Sequence, residues 1–323
     1  MGKTLYKSID FFKFISAIAV VCLHTRPFAN SPQIEYLVNT FFVMAVPFFF
    51  CTSSFFFHLK ERSLKNYIKR LLTLYCVWFV IELPFVLERF DFTTSKGVQI
   101  FIWSLFFQNT FWASWFLMAL MISMLIVVPL NRKCHKALLY TIGVGCFVLS
   151  LFASMYNGLI SYLPCSNFIN TFLYYISAAQ SFVLAVPYCI LGIILVRTDF
   201  KITLRKDLLV LGSLIVLTII EALLCKPIYV RQNASLLIIP VVFMTVYFCI
   251  RHEINISPTL AVYLRKTSIL IYLTHSIVEY YLKQWTGIDF GLNLMLFTFI
   301  ISLVISTIIV FLSNYIKPLK YLY

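Results

Sequence analysis

Residues 290–314 read FGLNLMLFTFIISLVISTIIVFLSN, a stretch without a single aspartate, glutamate, lysine or arginine. About 20 mostly apolar residues form a helix long enough to cross a hydrocarbon layer roughly 30 Å thick. In lipid the backbone has no water to bond, so a spanning segment of this kind satisfies its own N–H and C=O groups as a helix. The rest of the chain repeats the pattern. Apolar runs at 10–28, 36–58, 68–88, 112–130, 137–155, 171–195, 208–225, 234–250 and 267–283 bring the expected number of spans to ten. A shorter stretch, GVQIFIWSLFFQ at 97–108, reads as a half-helix or interfacial helix. The sequence therefore predicts an all-α polytopic membrane protein, one transmembrane domain over residues 1–323.

Composition agrees with this. Of 323 residues 61% are hydrophobic and 12% charged, with a mean hydropathy of +0.92. A soluble domain carries about 25% charged residues to wet its surface, so the lipid bilayer is the expected partner. The net charge of +14 does not point to nucleic acid, because the basic residues sit in short clusters between apolar runs. Assigned to alternate sides, 20 of the 26 fall on one: Lys3, Lys7, Lys13, Lys60 to Arg70, Arg132 to Lys136, Arg197 to Lys206, Arg251, Arg265, Lys266, Lys317 and Lys320. Arg26, Arg89, Lys96, Lys226, Arg231 and Lys283 fall on the other. The positive-inside rule makes the richer side cytoplasmic and puts both termini there, in a bacterial inner (plasma) membrane. The first run lacks a small-residue cleavage site and holds three ionisable groups, so it reads as a retained helix. The nine cysteines form no CxxC pair and read as small buried hydrophobes, with no metal site.

Ionisable side chains inside spans cost about 2.5–3.5 kcal/mol each on insertion scales, which makes each a functional candidate. In DFFKFISAIAVVCLHT (10–25), Lys13 and His24 are eleven residues apart, about 20° from three full turns, and Asp10 lies on the same broad face. Helix rise sets His24 about 16 Å outward from Lys13. Asp10 and Lys13 read as an ion pair. His24 is either an outer-interface residue or a base. In SILIYLTHSIVEYYL (268–282), His275 and Glu279 are four apart, with Tyr272 and Thr274 near. Glu279 is expected to accept from one imidazole nitrogen and fix the tautomer; a polar seam between helices is the alternative. Glu82 and Glu221 fall within spans without an obvious sequence partner and must face the protein interior or stay protonated. Lys65, Lys69 and Arg70 serve either the positive-inside rule or a cationic site for a phosphorylated ligand.

These residues carry a resemblance. Lys13-x10-His24 resembles the Arg/Lys-x10-His motif of the acyltransferase family 3 membrane proteins. AVPFFFCTSSFFF (45–57), KRLLTLY (69–75), WFLMALMISMLIVVPL (115–130) and YLTHS (272–276) resemble the family's further segments, in order and over nearly the whole chain. The family's Arg-x-x-Arg would put basic residues at 67 and 70, but Tyr67 stands at the first, and Ser54 stands where the family has glycine. The resemblance implies acyl transfer, usually acetyl from acetyl-CoA, onto a hydroxyl of a cell-envelope carbohydrate. It makes His24 the general base, with Lys13, Lys69 and Arg70 on the donor's phosphates. His275 and Glu279 are further catalytic candidates, and Asp10, Glu82, Glu221 and Tyr272 are candidates for substrate contacts. HTRPF (24–28) followed by AVPFFF also resembles the membrane half of VanT-type serine racemases of vancomycin resistance. That likeness implies L-serine import without acetyl-CoA, and a cytoplasmic racemase domain following Tyr323.

Overall fold

The computed structural model describes residues 5–111, 114–133, 136–198 and 203–323. Lys3 and Lys201, counted in the basic set above, lie outside the described residues. Fourteen α-helices run in order among them: α1 Lys7–Thr25, α2 Pro32–Phe42, α3 Ala45–Leu59, α4 Leu64–Ile81, α5 Leu83–Arg89, α6 Ser95–Phe107, α7 Ser114–Arg132, α8 Lys136–Phe152, α9 Ser166–Tyr175, α10 Phe182–Arg197, α11 Leu204–Cys225, α12 Ile238–Arg251, α13 Pro258–Thr286 and α14 Leu292–Leu312. No strand occurs among the described residues. Five segments are long and apolar enough to cross a membrane: α1, α2 with α3, α7, α11 and α14. The pair α4 and α5, bent by 72°, makes a sixth, and α8, α10 and α12 are apolar but shorter.

Local chemistry explains where helices break. Pro84 stands in the first turn of α5 and brings no N–H to continue α4, and the residue before a proline is pushed out of helical geometry, so the run 68–88 bends. The run 171–195 is not one helix, as its hydropathy suggests. Ser177 takes a left-handed φ of 45°, and the Ser181 hydroxyl donates to the Ile176 carbonyl at 2.9 Å while accepting from the Val183 N–H at 3.3 Å. Serine bonding its own backbone in this way starts α10 afresh and leaves α9 as a separate ten-residue helix. The connection expected over 251–266 is also shorter. The Ser257 hydroxyl caps the Leu260 N–H and Pro258 opens α13, which then runs 29 residues, about 44 Å, to Gly287 at φ 67°.

The helices form two compact units, one of the N-terminal residues to Phe48 with Val246–Tyr323, the other Phe49–Thr245. In the first, α1 packs along α13, and α13 along α14. Asp10 meets Arg265 and His24 meets His275, so α1 and α13 run parallel. The Tyr263 hydroxyl meets that of Thr307, which makes α14 antiparallel to α13. In the second unit Arg132 Nη2 donates to the Arg62 backbone carbonyl and the Tyr75 and Thr110 hydroxyls meet, setting α4 antiparallel to α7. Ser123 bonds Phe182 and Asn131 bonds Arg197, setting α7 parallel to α10. The stretch 97–108 forms α6 against α7; at about 20 Å it is too short to span the hydrocarbon.

Close packing is concentrated on α10, where eleven of sixteen residues are buried. A Cβ on Gly192 would stand 2.6 Å from the Cys51 carbonyl oxygen and 2.7 Å from the Phe55 nitrogen and Ser54 Cβ. The Ser54 hydroxyl meanwhile donates to the Cys189 carbonyl at 2.6 Å. A serine fits at position 54 because the glycine that permits the approach lies on the partner helix.

Candidate functional site

Lys13 and His24 lie on one unbroken helix, so the estimate of about 16 Å between their levels stands. The far end of α1 is firmly anchored. Arg26 turns left-handed at φ 51° and donates its N–H to the Cys22 carbonyl, its Nε donates to Glu35 Oε1 at 2.7 Å, and the Thr25 carbonyl accepts from the Gly291 N–H at 2.9 Å. His24 sits one residue before this anchor with an exposed side chain. Its ring centroid is 5.0 Å from that of His275, which is fully buried.

The His275 geometry fixes its tautomer. Nδ1 lies 2.7 Å from the Tyr272 carbonyl and 3.2 Å from that of Ile271, and only a nitrogen bearing hydrogen approaches a carbonyl so closely. In the neutral ring Nε2 then carries the lone pair and accepts from the Ser276 hydroxyl at 3.1 Å. This corrects the sequence expectation for Glu279. A residue four positions along is less well placed than the helix's own carbonyls, which point forward along the helix to the ring, and Glu279 instead meets Lys283 Nζ at 2.7 Å. Both Glu279 and Lys283 act electrostatically on His24. Lys283, counted above only as a topology charge, is the residue sequence reasoning missed, although its i,i+4 spacing from Glu279 was legible.

The other candidates fall in several places. Asp10 is buried and meets Arg265 at 3.6 Å on α13, a partner 255 positions away that no local spacing reveals. Tyr272 is buried with its ring 6.0 Å from that of His275. Lys13 is half-buried on α1; Lys69 and Arg70 are exposed in the first turns of α4, in the other compact unit. Glu82 is fully buried where α4 meets α5. Glu221 receives the Tyr156 hydroxyl at 2.7 Å and the N–H groups of Leu236 and Leu237 at 2.6 and 3.0 Å. Those three donors account for a buried carboxylate in α11 without a substrate.

An exposed imidazole, eleven residues along α1 from a lysine, thus stands beside a second, buried imidazole contributed by α13. Residues 6–315 match the family described as an acyltransferase domain. The chain belongs to this acyltransferase family. Similar curated proteins are an amino-acid racemase of Enterococcus faecalis, 29% identical over 50% of this chain and 24% of its own length, and a second of that name and organism, 23% identical over 84% and 40%. A serine/alanine racemase of Enterococcus gallinarum is 25% identical over 75% of this chain and 36% of its own. The acyltransferase-family chain thus spans less than half the length of these relatives. No solved structure matches it.

Proposed function

We propose that this chain is a ten-span membrane O-acyltransferase of the bacterial inner membrane, with both termini cytoplasmic, that transfers an acetyl group from acetyl-CoA to a hydroxyl of a cell-envelope carbohydrate. The observation that carries the reading is the exposed His24 held against the buried, tautomer-fixed His275 at the far end of α1 from Lys13. The parallel course of α1 and α13 supports ten crossings, since it requires an odd number between them. The α2–α3, α4–α5, α7, α8, α10, α11 and α12 segments supply seven, with α6 and α9 too short to count. Lys13 on α1 is the cation assigned to the donor's phosphates, and Lys69 and Arg70, at the start of α4, add to the basic charge expected on the cytoplasmic side.

His24 removes the proton from the acceptor hydroxyl as that oxygen bonds to the thioester carbonyl carbon. The tetrahedral centre then expels the thiolate, the C–S bond breaks, and the His24 imidazolium returns its proton to sulfur. In its neutral form His275 has Nδ1–H on the Tyr272 carbonyl and Nε2 turned to Ser276, so neither nitrogen is offered to the acceptor's proton. Acetyl transfer by membranes containing the full chain tests this: His24→Ala abolishes transfer with an unchanged unfolding midpoint. Retained transfer refutes the assignment of the base.

The names of the relatives favour a second reading, as does Tyr67, packed on Phe57 where the family pattern has a basic residue. In it the chain is a membrane module that imports L-serine for a racemase domain following Tyr323. Stabilisation and uptake by L-serine with no binding of acetyl-CoA decides for that reading.

A further inference from the structure

The Phe49–Thr245 unit contains a cavity of about 480 Å³ lined by none of the residues assigned to acyl transfer above. It is assembled from one end of several helices: Arg89 closes α5, Gln108 follows α6, Trp115 opens α7, Asn157 follows α8, and Gln180 and Arg231 precede α10 and α12. Arg89 and Arg231 both belong to the lysine-poor face, away from the cytoplasm in the reading above. Its volume falls within the roughly 300–1,000 Å³ of small-molecule sites.

The lining has a definite chemistry. It offers carboxamides and guanidinium groups beside the aromatic rings of Trp115 and Tyr174 and, among the described residues, no aspartate or glutamate. Hydrogen bonds within the lining hold its amides in place. Arg231 Nη1 donates to Gln180 Oε1 at 2.9 Å, Asn157 Nδ2 donates to Asn170 Oδ1 at 3.0 Å, and the Trp115 N–H donates to Asn109 Oδ1 at 3.1 Å. These bonds leave Gln180 Nε2 and Asn170 Nδ2 as donors and Asn157 Oδ1 as an acceptor. Alternating fixed donors and acceptors match the hydroxyls of a sugar, and flat aromatic faces match its C–H surface. Two arginines without a carboxylate match an acid group on that sugar and offer nothing to the ammonium of a free amino acid. A lipid chain would bury the amides and guanidinium groups without partners.

We propose that this cavity binds an acidic, hydroxyl-rich saccharide, the acceptor class for the transfer proposed above, on which this inference rests. The test uses the purified full chain in detergent and tri-galacturonic acid as probe, with binding read by saturation-transfer NMR and thermal stabilisation. The trimer binds, and neutral maltotriose binds about tenfold more weakly or worse, the loss expected for a charge-assisted hydrogen bond. Arg89→Gln and Arg231→Gln each weaken the trimer about tenfold by the same argument. Asn170→Trp, which fills the mouth from an exposed position, removes binding at an unchanged unfolding midpoint. No binding of the trimer, equal binding of both trimers, indifference to all three substitutions, or displacement of the trimer by L-serine, uridine monophosphate or acetyl-CoA overturns the proposal. Trimer binding without acetyl-CoA binding removes the acyltransferase reading and keeps the cavity. Acetyl-CoA turnover without trimer binding does the reverse.

Discussion

Removing the Glu221 carboxylate measures how much of the Phe49–Thr245 unit rests on one side chain. Glu221→Ala strands two backbone N–H groups and the Tyr156 hydroxyl in a part-buried setting. Stranded buried donors cost about 1–3 kcal/mol each; because the Tyr156 hydroxyl can turn elsewhere, the sum is about 3–5 kcal/mol. Glu221→Gln is milder. Its amide oxygen keeps the position of Oε1, which holds two of the three bonds, and its NH₂ faces only the Leu237 N–H, so the cost is about 1–3 kcal/mol. A unit of this length loses about 2–4 °C of unfolding midpoint per kcal/mol. Thermal unfolding in detergent therefore shows Ala lower by roughly 6–20 °C and Gln by roughly 2–12 °C on that scale. Tyr156→Phe separates the hydroxyl's share, and combining it with Glu221→Ala adds little beyond Ala alone, since both act on one bond. If Ala matches the parent protein, or Gln falls below Ala, the three-donor account is wrong. The substrate-contact reading of Glu221 predicts a different pattern, with lost transfer at an unchanged midpoint.

Two further outcomes follow from the packing. Gly192→Ala places a methyl within 2.6–2.7 Å of α3 backbone and the Ser54 Cβ, none of which is a flexible tip, so it lowers stability by about 1–3 kcal/mol, read by the same unfolding assay. Pairing it with Ser54→Gly recovers part of that loss. Ser8→Ala removes a hydroxyl that donates to the His252 carbonyl at 2.6 Å and accepts the Ile254 N–H at 2.9 Å. It costs about 1–3 kcal/mol and raises amide exchange at Ile254.

Part of the site was legible before folding and part was not. Lys13 and His24 share a helix, and helical periodicity alone puts them on one face at a known rise. The pairing of His24 with His275 spans most of the chain, and no local rule carries that. The Glu279 expectation failed for a related reason. Sequence spacing shows that two side chains share a face, but not that the helix's own Tyr272 carbonyl reaches Nδ1 first. Serines 177 and 181 likewise looked compatible with a continuous span, because hydropathy averages over residues whose hydroxyls bond their own backbone. The polar cavity was invisible, since its lining comes from six separate helix ends and none of them forms a motif.

The sequence by itself determined the solvent and the element type. Hydrocarbon tolerates this composition, helices satisfy their own backbone bonds, and the motif order on those helices marks the acyltransferase family. Only the tertiary structure decided which helix ends converge, which carboxylates are consumed by structural bonds, and which imidazole remains exposed. The physical reason is range. Burial and periodicity act within a helix turn or two, whereas the hydrogen bonds that fix a tautomer or consume a carboxylate depend on which segments the packed chain brings within about 3 Å.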